Sequence, residues 1–122
     1  MEERKLGLVE GKFADLIWQH APMTTKELVV LCEKELNWQR TTTYTVLKKL
    51  CNQGIFCTEE GLVTVLVSKD DFYAMQSEKF VEETFEGSLP AFIAAFASRK
   101  KPSEQELAEI RKLLDAFNEE PK

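Results

Sequence analysis

Two helix-length apolar patterns stand only Asn37 and Trp38 apart, and the second is followed at once by two short β-branched or apolar runs. Few folds accommodate that order. The first pattern opens at Thr24-Thr25-Lys26-Glu27, the T-x-x-E form of a capping box, and carries Leu28, Leu31, Cys32 and Leu36 inward. The second sets Thr43, Val46, Leu47 and Leu50 at i, i+3, i+4 and i+7, the stripe that a helix buries. Gln53-Gly54 closes it, with Gly54 suited to a left-handed cap. Ile55-Phe56-Cys57-Thr58 and Leu62 to Val67 then flank Glu59-Glu60-Gly61 and read as a hairpin. A preceding helix over 8–20 carries Leu6, Val9, Phe13, Leu16 and Ile17 inward and ends at Ala21-Pro22, because the residue before a proline is pushed out of helical geometry. The expectation is a mainly α chain holding a winged helix-turn-helix, three helices plus a β-hairpin wing.

Charge distinguishes the second of the paired helices. From Leu36 to Thr58 there is no Asp or Glu but there are Arg40, Lys48 and Lys49, in a chain of formal net charge -5, which leaves -8 on the other 99 residues. The basic surface is therefore local. Arg40, Thr41, Thr42, Tyr44, Thr45, Lys48 and Lys49 are the candidate DNA-binding residues, since they fall between the inward positions. Hydroxyls and ammonium groups suit phosphate oxygens, Thr methyls suit a thymine methyl, and an Arg fork suits guanine. A pI near 5 describes only the mean field, and a net acidic protein can still present one basic face.

Several classes are disfavoured. No apolar run approaches the roughly 18 residues of a membrane helix and the first residues lack the apolar core of a signal peptide, so a cytoplasmic location without membrane contact is expected. Cys32, Cys51 and Cys57 are odd in number and unclustered, and read as reduced core cysteines. His20 is the one histidine, and neither a C-x-x-C pair nor another usual ligand spacing is present, so no metal or other cofactor is expected. The chain also lacks a nucleophile elbow and a phosphate loop, and it reads as a non-enzyme.

From Ser68 the character changes. Ser68 can cap a fourth helix running to about Phe85, Ser88 and Pro90 open a fifth, and Ser103-Glu104-Gln105-Glu106 is a second capping box that opens a sixth. Two regions are expected, a winged helix over 1–69 and a helical dimerisation region over 70–122. Phe80, Phe85, Phe92, Ile93, Phe96, Leu113 and Phe117 are too many large apolar groups for a tail of this length to cover alone. Two-fold pairing would cover them and would set two reading helices on successive turns of one DNA face.

The chain resembles the penicillinase-repressor and copper-repressor family of transcription factors. Trp38 followed by Thr42, Thr45, Leu47, Leu50 and Gly54 carries the likeness, as do Phe85-Glu86-Gly87-Ser88, Phe96 and the closing Ser103-x-x-Glu106-Leu107-x-x-Ile110-x-x-Leu113-Leu114. The resemblance implies a winged-helix homodimer that represses promoters at dyad operators, with Arg40, Thr41, Thr42 and Thr45 where the recognition helix meets DNA and the C-terminal helices making the dimer. Three positions depart from the pattern. The wing tip is acidic, Glu59-Glu60, where members often carry basic residues. The paired C-x-C motifs of copper-responsive members are missing. The Asn-Phe bond cut in β-lactam-responsive members corresponds to Ala95-Phe96, with a sensor protease as the further partner that the likeness implies. The reading is a sequence-specific repressor that occludes a promoter as a homodimer. The alternative, favoured by the acidic charge and wing, is a winged-helix subunit that binds protein instead of DNA.

Overall fold

A computed structural model describes residues 6–118, in the order α1 (Leu8–His20), β1 (Met23–Thr24), α2 (Thr25–Leu36), α3 (Arg40–Asn52), β2 (Phe56–Glu59), β3 (Leu62–Val65), α4 (Lys69–Phe85), α5 (Leu89–Arg99) and α6 (Glu104–Asn118). The expected outer limits at residues 1 and 122 lie outside the described residues. The chain forms two compact units, one reaching Lys79 and one beginning at Phe80, and α4 contributes to both. This is a mainly helical winged helix-turn-helix followed by further helices.

Local chemistry explains where the first helices start and stop. Thr24 and Glu27 form the reciprocal cap of α2, the Thr24 hydroxyl accepting from the Glu27 N–H at 3.1 Å and the Glu27 carboxylate accepting from the Thr24 N–H at 2.8 Å. Asn37 ends α2 in the left-handed region at φ 57°, which its short polar side chain tolerates. Trp38 then stacks on Phe13 of α1 at 5.2 Å between ring centroids, so the short turn between α2 and α3 is anchored in the core.

Three small strands close the first unit. β2 and β3 pair antiparallel from Phe56↔Val65 to Glu59↔Leu62, leaving Glu60 and Gly61 as a two-residue turn with φ 51° and 78°. Both residues lie at positive φ, as the hairpin turns that match strand twist require. β1 adds a third strand through Met23↔Val63 and Thr24↔Leu62, giving the order β1-β3-β2. That strand is absent from the sequence expectation, which passes from α1 directly to α2.

The core joins α1, α2, α3, the wing and the start of α4. Phe13, Ile17, Leu28, Leu50, Ile55, Phe56 and Val63 are fully buried. Val9 departs from expectation and is 52% exposed, because the first turn of α1 lies beyond the core while the stripe continues with Ala14. Phe72 of α4 is fully buried and its ring lies 5.8 Å from that of Trp18. Trp18 also touches Phe56 and Tyr73 and donates its indole N–H to the Val67 carbonyl at 3.0 Å. The winged-helix core therefore extends past residue 69 to include the first turns of α4.

The second unit is built differently. Phe80, Phe85 and Phe92 meet edge to face at 5.7–6.0 Å, and Phe96 lies 6.4 Å from Phe92. Ser88 caps α5 and Ser103 with Glu106 caps α6, in the expected places. Neither helix buries a residue fully. Phe85 and Phe92 are half-buried, whereas Phe80, Ile93, Phe96, Leu113 and Phe117 are exposed. A groove of about 370 Å³ between α5 and α6 is lined by Phe92, Ile93, Phe96, Ile110 and Leu113.

Candidate nucleic-acid interface

Helix α3 is split cleanly by its own periodicity. Thr43, Leu47 and Leu50 are buried, while Arg40, Thr41, Thr42, Thr45 and Lys48 are exposed and Tyr44 is half-buried. The first turn holds no acidic residue, so the positive end of the helix dipole and the Arg40 charge reinforce each other at one place. An anion approaching that end meets no fixed negative charge on α3. The exposed face thus combines one guanidinium, three threonines and one ammonium group.

Internal bonds restrict what each side chain can offer. The Thr45 hydroxyl donates to the Thr41 carbonyl at 2.9 Å, leaving its lone pairs and methyl group for an outside partner. Arg40 lies over the Tyr44 ring with the guanidinium carbon 5.6 Å from the centroid. Hydrogen bonding from Thr25 is the main influence that lowers the Tyr44 pKa, and hydrogen bonding from Arg40 and the Arg40 and Lys26 charges act in the same direction. Thr25 also donates its backbone N–H to the Gly61 carbonyl at 2.9 Å. One residue at the start of α2 therefore bonds the wing turn and lies beside Tyr44 of α3. The sequence gives no sign of it, because the three partners are far apart in the chain.

Lys49 sits differently from the other candidates. Its ammonium group pairs with Glu10 of α1 at 2.6 Å, so its charge is directed toward α1 and partly neutralised there. Glu10 also accepts from the Gly7 N–H at 3.2 Å, and the Lys49 bond first, then the Gly7 bond, hold its carboxyl below the ordinary glutamate value. A carboxyl with a lowered folded-state pKa adds stability that is complete above its unfolded value and is lost as the pH falls through the folded value. Glu10→Gln should thus lose up to about 1 kcal/mol at pH 7, the upper range for a partly exposed pair. The gap from the parent in urea unfolding should close as the pH is taken below about 4.3, the ordinary glutamate value. An equal gap at both ends of the pH range would mean that the pair is not its source.

The wing brings acid close to this surface. Glu60 lines a notch of about 490 Å³ together with Thr25, Tyr44 and Lys48. Cys51 lines it as well, and burial raises its thiol pKa, as it does for Cys32. Among the described residues no group of His, Cys, Asp and Glu is arranged to hold a metal ion. No helix among them is long and apolar enough to cross a membrane.

Comparison with known proteins agrees with this arrangement. The chain is 25% identical over 104 residues to a penicillinase repressor of Bacillus licheniformis, an alignment that covers 82% of this chain and 81% of that protein. The family model described as penicillinase repressor matches residues 6–116, which takes in every element from α1 to α5 and most of α6. The chain therefore belongs to the penicillinase repressor family, whose members are transcriptional regulators and not enzymes.

Proposed function

We propose that this protein is a homodimeric repressor that binds a dyad operator in double-stranded DNA and keeps transcription off by occupying the promoter. The observation that carries this reading is α3 itself: its acid-free outer face is exposed while its inner face is held by the core. Arg40, Thr41, Thr42, Tyr44 and Thr45 form the base-reading set, and Lys48 supplies phosphate contact. Lys49 contributes only a long-range field, because Glu10 already holds it. Such a regulator works in the cytoplasm, where the DNA is.

The dimer rests on the second unit. Ile93, Phe96 and Leu113, with the half-buried Phe92, line a groove that a second copy would fill, Phe80 and Phe117 are exposed as well, and Phe85 packs against Phe80 and Phe92. Covering one such side chain completely from full exposure stabilises by about 1.5–3 kcal/mol, and these, already partly covered, gain a fraction of that each. A sensor protease acting at Ala95–Phe96 would find that bond inside α5 and would need the helix to open first. The test is a gel shift with duplex from upstream of the protein's own gene. Binding that survives excess unrelated duplex is expected, and equal competition by unrelated duplex would contradict the reading.

The acidic wing favours a second reading, a subunit whose partner is a protein. The wing charges test how close the wing comes to DNA under the first reading. If DNA lies against α3, Glu59 and Glu60 repel its backbone, and replacing both with Lys should tighten binding to all sequences alike. The salt dependence should steepen by about 0.9 in log–log slope for each phosphate gained. A double variant that binds DNA no better at low salt would place the wing tip clear of the duplex.

A further inference from the structure

Among the exposed side chains of α3, Arg40 alone carries a planar cation, and it does not extend freely into solvent. Its guanidinium lies over the Tyr44 ring at 5.6 Å. Tyr44 is half-buried and shares a notch with Thr25, whose N–H is bonded to the Gly61 carbonyl at 2.9 Å. A guanidinium has five N–H donors, so one held beside a ring, even with a donor directed at the Tyr44 hydroxyl, keeps a parallel pair for a partner in its plane. The partner that matches two parallel N–H donors in a major groove is guanine, through O6 and N7.

We infer that Tyr44 is a specificity-determining residue that acts through Arg40: its ring fixes the guanidinium in the orientation that reads one guanine in each half-site. The inference rests on the DNA-binding reading above. A long Arg side chain left free would lose rotamer freedom on reaching a base, and it could equally settle on a phosphate. The ring removes much of that freedom before DNA arrives. Tyr44 is thus a positioning residue, and it needs no contact of its own with the base.

The test uses the full chain and the operator fragment found by footprinting, with each guanine of a half-site replaced in turn by 7-deazaguanine, which lacks the N7 acceptor. The parent protein should lose affinity at one such position by about ten- to a hundredfold. Arg40→Ala should bind weakly and show no penalty at that position. Tyr44→Leu should lose most of the penalty there, whereas Tyr44→Phe, which keeps the ring, should keep most of it. In the free protein, the upfield ring-current shift of the Arg40 side-chain protons should vanish in Tyr44→Leu and survive in Tyr44→Phe. A full penalty in Tyr44→Leu would overturn the inference while leaving operator binding intact. A loss in Tyr44→Leu that is equal for every duplex, with the penalty unchanged, would overturn it too. No specific footprint from the parent protein would remove the DNA-binding reading and the inference together.

Discussion

Ending the chain after Lys79 is expected to leave a folded monomer that keeps α3 and loses operator affinity by about 10²–10⁴. Phe72 places the cut. It is fully buried against Trp18, and a chain ending after residue 69 would open that core at a cost of about 3–5 kcal/mol, the range for removing a buried aromatic side chain. The longer fragment retains it. What it loses is the second unit, whose exposed aromatic and aliphatic side chains are proposed to join two copies. A linked second half-site binds at an effective concentration in the millimolar range, and that advantage disappears with the link. Sedimentation and gel shifts of the fragment check both parts. Undiminished affinity for the operator would show that pairing contributes nothing to it.

Arg40→Ala carries the second large effect. A lost base contact costs about 1–3 kcal/mol, and a symmetric dimer loses it twice, so specific affinity should fall by roughly one to four orders of magnitude. Thr42→Ala should act in the same direction with a smaller effect, since one hydroxyl and one methyl group are removed. Neither change should alter thermal stability by more than about 0.5 kcal/mol, because both side chains are exposed and neither fills the core. Lys48→Ala should weaken binding to all duplexes alike and flatten the salt slope by about 0.9 per lost phosphate contact. Unchanged operator affinity in all three variants would move the reading surface off α3.

The parts of this fold that were legible in the sequence are those fixed by short-range chemistry. The Thr24–Glu27 and Ser103–Glu106 caps are four-residue patterns, and they open α2 and α6 where the sequence placed them. The buried stripe of α3 follows from its period, and the turns at Gly54 and Gly61 from the residue type that tolerates positive φ, which is 80° and 78° there. What was hidden depends on partners far along the chain. β1 is two residues long, too short to show a period, and exists because Val63 and Leu62 pair with it. Lys49 looks like its neighbour Lys48 until Glu10, 39 residues earlier, is brought to it by packing of α1. The bond from Thr25 to Gly61 and the approach of Thr25 to Tyr44 are of the same kind, as is the position of Trp18 between β2 and α4. Of the proposed reading face, the exposure was legible and the internal restraint was not.

Hydroxyl-radical footprinting of the full chain on the DNA upstream of its gene tests the central claim most directly. The expected pattern is two protected tracts related by a dyad on one face of the duplex, their centres one helical turn of about 10–10.5 base pairs or a multiple of it apart. Both tracts should fade together in Arg40→Ala. A single tract, or no protection at concentrations where the protein is folded, would contradict a dimeric operator-binding repressor.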